Sequence, residues 1–184
     1  MANILVVVDY QNDFVTGSLG FSAAEKIKDG IVEKIREFGK RGDYVICTQD
    51  THYHNYLQTV EGKNLPIVHC VTGTAGHEIV PEVWEAAAAS AAKFIEKVTF
   101  PSSELMHEVR RIDALEKHVG NDKPDTIEFC GVVTDICVLS NVIMAKAGLP
   151  DARIIVHKNL CASNNPEMEE KAFDIMRNLH VEVI

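Results

Sequence analysis

Residues 127–137 read Ile-Glu-Phe-Cys-Gly-Val-Val-Thr-Asp-Ile-Cys, an apolar run that leads through a glycine to Cys137. A second apolar run, residues 3–9, reads Asn-Ile-Leu-Val-Val-Val-Asp and ends at Asp9. Continuous apolar runs of this kind are typical of central parallel strands, which are covered on both faces. Ligands bind outside the carboxyl ends of such strands, so both runs deliver a reactive residue to the same edge of the sheet. A carboxylate and a thiol together at that edge indicate a cysteine nucleophile with an acid as its proton partner.

Strand-like and helical patterns alternate along the rest of the chain. The strand-like runs lie near 3–9, 43–48, 93–98, 126–132, 152–157 and 181–184, and the helical patterns at about 22–41, 81–91, 103–119, 136–148 and 166–179. This alternation predicts βα units joined by right-handed crossovers. We therefore expect one α/β domain over residues 1–184, a Rossmann-like three-layer α/β/α sandwich with a mainly parallel six-stranded sheet. Residues 49–80 are polar and show no periodicity, and a loop that long in a compact domain is usually functional.

Bulk composition narrows the class of protein. A chain of 184 residues with 46% hydrophobic and 24% charged residues is typical of a soluble globular domain. The net charge of −9, with no basic stripe, argues against a nucleic-acid partner, and no apolar run is long enough to span a membrane. No basic segment precedes the first strand, so we expect no signal peptide. The five cysteines include no Cys-x-x-Cys pair and are odd in number, which favours reduced thiols and a cytoplasmic protein.

The nucleophile candidate is Cys137. Gly131 permits a tight turn from strand to helix, which puts the cysteine in the first helical turn. Free N–H groups there would stabilise a thiolate and could also hold an oxyanion. The alternative is a buried structural cysteine. Asp9, at the end of a buried strand, should have a raised pKa suited to proton transfer, unless it is an acid bonded only to backbone amides.

A set of possible metal ligands follows the second strand. Asp50 and His52 are two residues apart and point to one side of an extended chain, while His69 follows a short apolar run. One carboxylate with imidazoles suits Zn²⁺, Fe²⁺ or Mn²⁺. Glu61 lies on the intervening loop, and His54 is its rival as a further ligand. The alternative for the whole set is a polar surface loop.

A lysine should also reach this edge. Lys97 ends the run Phe94-Ile95-Glu96-Lys97-Val98. An ammonium beside the cysteine would lower the pKa of the thiol and hold Asp9 in place. Lys93 is a rival by position, and a solvated lysine at a strand end is the alternative to both.

With these residues in this order, the chain resembles the isochorismatase-like cysteine hydrolases, and most closely their nicotinamidase-related branch. The matching residues are Asp9 with Gln11, Asp13 and Phe14; Asp50-x-His52; His69-Cys70-Val71-x-Gly73-Thr74-x-Gly76; Lys97; and Gly131-Val132-Val133-Thr134-Asp135-x-Cys137-Val138. The resemblance implies a catalytic triad of Asp9, Lys97 and Cys137. It also implies a cis peptide between Val132 and Val133 and an oxyanion hole formed by the N–H groups of Val133 and Cys137.

The resemblance extends to the metal and the substrate. It implies a divalent ion, for which we expect Zn²⁺ before Fe²⁺ or Mn²⁺, held by Asp50, His52 and His69, and it favours Glu61 over His54. The family often has a tryptophan after the metal-binding aspartate, but this chain has Thr51 there, and Trp84 is its only tryptophan. We expect Phe14, Tyr53 and Val133 to contact the substrate, and Tyr56 is a further aromatic residue available to a pyridine ring.

The expected function is therefore a metal-containing amidohydrolase that acts on nicotinamide, a small-molecule amide, through a thioester. The nearer alternative is a hydrolase of the same fold that acts on another carboxamide, a ureido acid or an isochorismate-like vinyl ether. The more distant alternative is a non-catalytic binding protein. Members of the family commonly form dimers or tetramers, so we expect a homodimer or homotetramer.

Overall fold

The computed structural model describes residues 3–120 and 126–184. Its strands are β1 (Asn3–Val8), β2 (Tyr44–Asp50), β3 (Lys93–Lys97), β4 (Thr126–Val132), β5 (Arg153–Ala162) and β6 (Glu182–Val183). Its α-helices are α1 (Asn12–Val15), α2 (Ser22–Lys26), α3 (Lys28–Arg41), α4 (Val60–Asn64), α5 (Pro81–Ala89), α6 (Ser103–His118), α7 (Leu139–Gly148) and α8 (Pro166–Asn178). A 3₁₀ turn at Tyr56–Gln58 and a π-helical turn at Thr134–Val138 complete the regular elements of the described residues.

The strands form one sheet in the order β3-β2-β1-β4-β5-β6, and every neighbouring pair is parallel. The predicted α/β fold with a six-stranded parallel sheet is confirmed. The chain moves outward from β1 to β3, then returns to place β4 beside β1 and moves outward again to β6. The crevice between β1 and β4 is therefore the switch point at which α/β proteins form ligand sites.

Helices cover both faces of the sheet because the central strands are apolar on both sides. In β1, Ile4, Val6 and Val8 join a core cluster with residues of α6, α7 and α8, while Leu5 and Val7 join a second cluster with α3 and α5. All five side chains are at most 1% exposed, as expected for a strand between two helical layers. Within residues 3–120 and 126–184, no helix combines the length and apolarity needed to cross a bilayer.

Several element boundaries differ from the predictions. The helix predicted over 22–41 is two helices that meet at Ile27, and the segment 49–80 contains both the 3₁₀ turn and α4. The Thr59 hydroxyl accepts the N–H of Gly62 at 3.0 Å and so caps α4, a one-turn helix too short to produce a periodic pattern. The helix predicted from residue 136 begins as the π-helical turn, and β5 continues to Ala162 rather than ending at residue 157.

Candidate active site

The ends of neighbouring strands carry the predicted reactive residues to one place. Asp9 directly follows β1, Lys97 ends β3 and Cys137 lies in the π-helical turn after β4. Parallel register puts Asp50, the last residue of β2, beside Lys97, and puts Val8 beside Gly131. The group of Asp9, Lys97 and Cys137 is called the nucleophile cluster below.

The Lys97 ammonium is the centre of the nucleophile cluster. Its Nζ lies 2.7 Å from Asp9 Oδ2 and 3.6 Å from Cys137 Sγ, and it donates to Asp50 Oδ1 at 3.1 Å. The contact with Asp9 is a close ion pair, and the Asp9 side chain is completely buried. The rival Lys93 is exposed at the opposite end of β3. One buried cation thus joins two carboxylates and the thiol.

Burial controls the protonation of these groups. It raises the pKa of the Cys137 thiol well above its usual value, because the lowering effect of Lys97 is smaller and Asp9 and Asp50 also raise it. The expected lowering of this pKa by Lys97 is present, but burial outweighs it. Burial also raises the pKa of Asp9 against the opposing charge of Lys97. Burial disfavours the charged form of Lys97, but Asp9, Cys137 and Asp50 together raise its pKa, so the ammonium persists.

The backbone adopts uncommon conformations around the nucleophile cluster. Asp9 and Cys70 have left-handed φ values of 47° and 46°, which are uncommon for residues other than glycine and concentrate at functional sites. Gly131 has φ 120°, and a Cβ there would overlap the Val8 carbonyl, so glycine is required where β4 passes β1. The Val132–Val133 peptide is cis, as the resemblance implied.

Four side chains converge beside the nucleophile cluster and form what is called the cation cluster below. Its members are Asp50, His52, Glu61 and His69, whose ligand atoms all lie within 4.8 Å of one another. His52 Nε2 lies 2.9 Å from Asp50 Oδ2 and 3.4 Å from Glu61 Oε1. His69 Nε2 lies 3.5 Å from Asp50 Oδ2 and 3.7 Å from Glu61 Oε1. Ligands around a tetrahedral ion with bonds of ~2.1 Å are separated by about 3.4 Å, so this spacing suits a divalent metal.

The chemistry of the donors also fits a cation. His52 Nε2 is buried without a hydrogen-bond partner, although two carboxylates face it. Burial disfavours its charged form, but Asp50 and Glu61 outweigh burial and raise the pKa of His52 to about 9. The field of this cluster therefore favours a positive charge. His69 Nδ1 donates to the Ile67 carbonyl at 2.8 Å, so Nε2 is the ring nitrogen that faces Asp50 and Glu61 in the cation cluster.

The structure separates the rival metal ligands. Glu61 lies in the first turn of α4, not in the helix-free loop that was expected, and it reaches the cluster from there. His54 is exposed and is not a member of the cation cluster. The aromatic candidates also differ: Phe14 lies 5.5 Å from the His69 ring, whereas Tyr53 is 53% exposed.

Three further residues support the site: Tyr56, an aromatic residue that the sequence left available to the substrate ring, and Thr48 and Asn141, which had no role assigned from sequence. The Tyr56 ring lies 4.5 Å from that of His52 and 5.0 Å from that of His69. The Thr48 hydroxyl donates to Asp9 Oδ1 at 2.7 Å. Asn141 Nδ2 donates to the Cys137 carbonyl at 2.8 Å, so it braces the nucleophile turn from α7. The sequence signal that could have pointed to Thr48 and Asn141 is that each is a polar residue within an otherwise apolar strand or helix.

Comparisons with known proteins agree with this geometry. The family model described as the isochorismatase domain matches residues 3–184. An uncharacterized isochorismatase family protein, PncA, of Bacillus subtilis (strain 168) is 30% identical over 187 residues, which cover 91% of this chain and 90% of the relative.

Two solved structures extend the comparison to the fold. The crystal structure of nicotinamidase PncA from Bacillus subtilis superposes with a TM-score of 0.83 at 26% identity and covers 100% of this chain and 99% of the other. The pyrazinamidase of Pyrococcus horikoshii, solved in complex with zinc, shares the fold with a TM-score of 0.79 at 24% identity, over 100% of this chain and 99% of the other. The chain belongs to the isochorismatase family.

Proposed function

We propose that this protein is a metal-dependent cysteine amidohydrolase that converts nicotinamide and water to nicotinate and ammonia. The observation that carries the proposal is the position of Lys97 Nζ, 2.7 Å from Asp9 Oδ2 and 3.6 Å from Cys137 Sγ. Through these two contacts Lys97 brings an acid, a cation and a thiol together in a buried crevice at the switch point of the sheet. The similarity to the Bacillus subtilis nicotinamidase supports the choice of amide hydrolysis and of a pyridine carboxamide as substrate.

The charges of the nucleophile cluster favour an internal proton transfer. A thiolate formed by losing its proton to solvent would add a third negative charge near Lys97, alongside Asp9 and Asp50. Transfer of the thiol proton to Asp9 leaves the net charge unchanged, because the Asp9 carboxylate is neutralised as the thiolate forms beside Lys97. Since an uncompensated buried charge is costly, we assign Asp9 as the general base.

The reaction then proceeds by acyl transfer. As Asp9 takes the proton, the Cys137 sulfur attacks the amide carbonyl and the carbonyl π-electrons move to oxygen. Collapse of this intermediate breaks the C–N bond, and Asp9 returns its proton to the nitrogen, so that ammonia leaves a thioester on Cys137. A water molecule attacks the thioester while Asp9 takes one of its protons. The C–S bond breaks, the sulfur recovers the proton from Asp9, and the acid is released.

Backbone N–H groups at the nucleophile turn would stabilise the oxyanion. We assign this role to Val133, which directly precedes the π-helical turn, and to Cys137, which lies within it. The Val133 carbonyl accepts hydrogen bonds from the N–H groups of Ile136 and Val138, each at 3.1 Å, and these bonds hold the turn in shape. Oriented N–H groups in a site of low dielectric constant contribute strongly to catalysis because they need no rearrangement during the reaction.

The cation cluster would bind a divalent metal, for which Zn²⁺ is our first choice and Fe²⁺ or Mn²⁺ the alternatives. When bound, the ion would act as a Lewis acid that holds the ring nitrogen of the substrate. Asp50 would join the two clusters, because its Oδ1 accepts from Lys97 while its Oδ2 faces both histidines. Phe14, Val133 and Tyr53 are the proposed substrate contacts, with Tyr53 at the exposed edge.

We further propose that the protein works in the reducing cytoplasm as a homodimer or homotetramer. All five cysteines are buried and unpaired. Exposed apolar side chains on α7 and α8, Ile143 at 45% and Ile175 at 49%, would support association through helix faces. Light scattering after gel filtration measures the assembly, and a monomer at micromolar concentration would contradict it.

One experiment tests the proposed activity directly. Ammonia release is measured for nicotinamide, pyrazinamide, a ureido acid and an aliphatic amide, each before and after treatment with a chelator. We expect the highest kcat/KM with nicotinamide and loss of activity in chelator that added zinc restores. Preference for the ureido acid would instead identify a different hydrolase of the same fold, and no turnover of any amide would reject the proposal.

A further inference from the structure

Gln11 presents a completely buried amide to the backbone of Asp50. Its Oε1 accepts the N–H of Asp50 at 2.7 Å, and its Nε2 donates to the Asp50 carbonyl at 2.9 Å. The same Nε2 donates to the His77 carbonyl at 2.7 Å. Both N–H groups and the oxygen of this amide are therefore used, and the side chain is 0% exposed.

The sheet explains why Asp50 needs such a partner. On one side Asp50 still pairs with Lys97 of β3. On the other side β1 has ended, because the left-handed φ of Asp9 turns the chain away after its N–H bonds the Thr48 carbonyl at 3.2 Å. Buried backbone groups need hydrogen-bond partners, and the Gln11 amide offers the same donor and acceptor as a peptide of a neighbouring strand. A side chain thus extends the sheet by one residue on the side of β1.

The same residue holds the segment that returns from the cation cluster. The Gln11 backbone forms an isolated antiparallel bridge with Ile79, and its side chain bonds the His77 carbonyl. Both contacts lie within the stretch that follows His69. Gln11 therefore links the strand end that carries one proposed ligand to the loop that carries another.

We propose that Gln11 is a positioning residue for the cation cluster, an inference that rests on the proposed metal dependence. By pairing with the Asp50 backbone, Gln11 fixes the direction in which the carboxylate leaves β2. Asp50 Oδ2 is then aimed at the two histidines while Oδ1 remains on Lys97. Outer hydrogen-bond partners of this kind typically change metal affinity by about 10- to 100-fold when they are removed.

Zinc affinity of the whole chain, measured by competition with a coloured chelator, tests this role. Gln11→Met keeps the length of the side chain and removes all three hydrogen bonds, and Gln11→Glu keeps only the acceptor for the Asp50 N–H. We expect Gln11→Met to bind zinc about 10- to 100-fold more weakly than the unmodified chain.

Asn141 provides the matched control. It is also a buried amide with three hydrogen bonds, but they go to the Cys137 and Phe100 carbonyls and the Ser102 N–H, on the nucleophile side. Asn141→Leu should lower the melting temperature as Gln11→Met does, yet keep the zinc dissociation constant within about twofold.

Each outcome decides the question. An unchanged zinc dissociation constant in Gln11→Met, or equal weakening in Asn141→Leu, overturns the positioning role. If Gln11→Met does not fold, Gln11→Glu is measured in its place, and failure of both to fold assigns Gln11 to folding in general. Unmodified protein that binds no zinc rejects the proposed metal site together with this inference, whereas failure to hydrolyse nicotinamide with normal zinc binding rejects only the proposed substrate.

Discussion

The nucleophile cluster and the cation cluster meet at Asp50 but are built in different ways. The nucleophile cluster is placed by the ends of β1, β3 and the turn after β4, whose parallel register leaves little freedom. The cation cluster takes only Asp50 from a strand. Its other members come from the segment 52–69 and are held by local contacts, such as the parallel bridge between His52 and Val71. A fold can thus supply the reacting groups directly, while a ligand set needs its own supports.

The largest expected effect is the loss of activity in Cys137→Ala, which should leave metal binding by the cation cluster intact. Cys137→Ala should lower kcat/KM for nicotinamide by about 10⁴-fold or more, because no other group can form the thioester. The zinc affinity should remain within about twofold of the unmodified protein, since Cys137 is hydrogen-bonded to Lys97, which lies between it and Asp50. Steady-state kinetics and chelator competition measure the two quantities.

Two other cysteines serve as controls for this variant. Cys47→Ala and Cys161→Ala remove buried thiols of the core and should cost about 1 kcal/mol of stability each, with kcat/KM nearly unchanged. Substantial turnover by Cys137→Ala would end the thioester mechanism.

A smaller effect is expected where the clusters meet. Asp50→Asn removes the charge that faces both Lys97 and the histidines, and we expect kcat/KM to fall by about 10²- to 10³-fold. Added zinc should restore only part of this loss, because Lys97 has also lost one of its two carboxylates. Full recovery in excess zinc would mean that the two clusters act independently.

The next prediction concerns the cation cluster alone. Glu61→Gln should weaken zinc binding about tenfold and lower activity at limiting metal, and excess zinc should restore kcat. His54→Ala is the matched control: His54 is exposed and should leave both zinc affinity and activity unchanged. A loss of zinc affinity in His54→Ala, but not in Glu61→Gln, would reverse the assignment of the ligand.

The difference between residues carried by strand ends and residues carried by the segment 52–69 also explains what the sequence could predict. The apolar runs that end at Asp9 and Lys97 indicate strands, and parallel strands have their carboxyl ends at one edge, so the pattern predicts that both residues can reach that edge. The choice of Lys97 over Lys93 and the triad with Cys137 came from the resemblance. Glu61 could be favoured over His54 only by resemblance, because α4 is a single capped turn without a periodic signal.

Other features could not be predicted from the sequence, and the reason is physical. The direction of the Cys137 pKa depends on the balance between burial and the Lys97 charge, and burial is set by packing rather than by position at a helix start. Gln11 and Asn141 act through their side-chain amides on backbone groups far away in the sequence, those of Asp50 and Ser102. Such partners are 39 residues away for Gln11, and no spacing rule connects them.

The smallest expected effect is a shift of the pH profile by Thr48→Val. Asp9 must be ionised to accept the thiol proton, so kcat/KM is present above its pKa and is lost as the pH falls through it. Burial raises that pKa, and the Thr48 hydroxyl, bonded to Asp9 Oδ1 at 2.7 Å, acts to lower it. Removing the hydroxyl should move the acid limb to higher pH by up to about one unit, since a hydrogen bond to a charged group contributes roughly 1.5 kcal/mol.

Thr51→Val is the control for this shift, because the Thr51 hydroxyl pairs with His77 Nε2 at 2.8 Å instead of with Asp9. The profiles of kcat/KM, measured in saturating zinc, report ionisations of the free enzyme. A limb that moves in Thr48→Val and stays in Thr51→Val belongs to Asp9 and therefore to the nucleophile cluster. A limb that stays in both variants belongs to the histidines and carboxylates of the cation cluster, and the pH dependence of the enzyme would then be a property of metal binding rather than of the proton transfer.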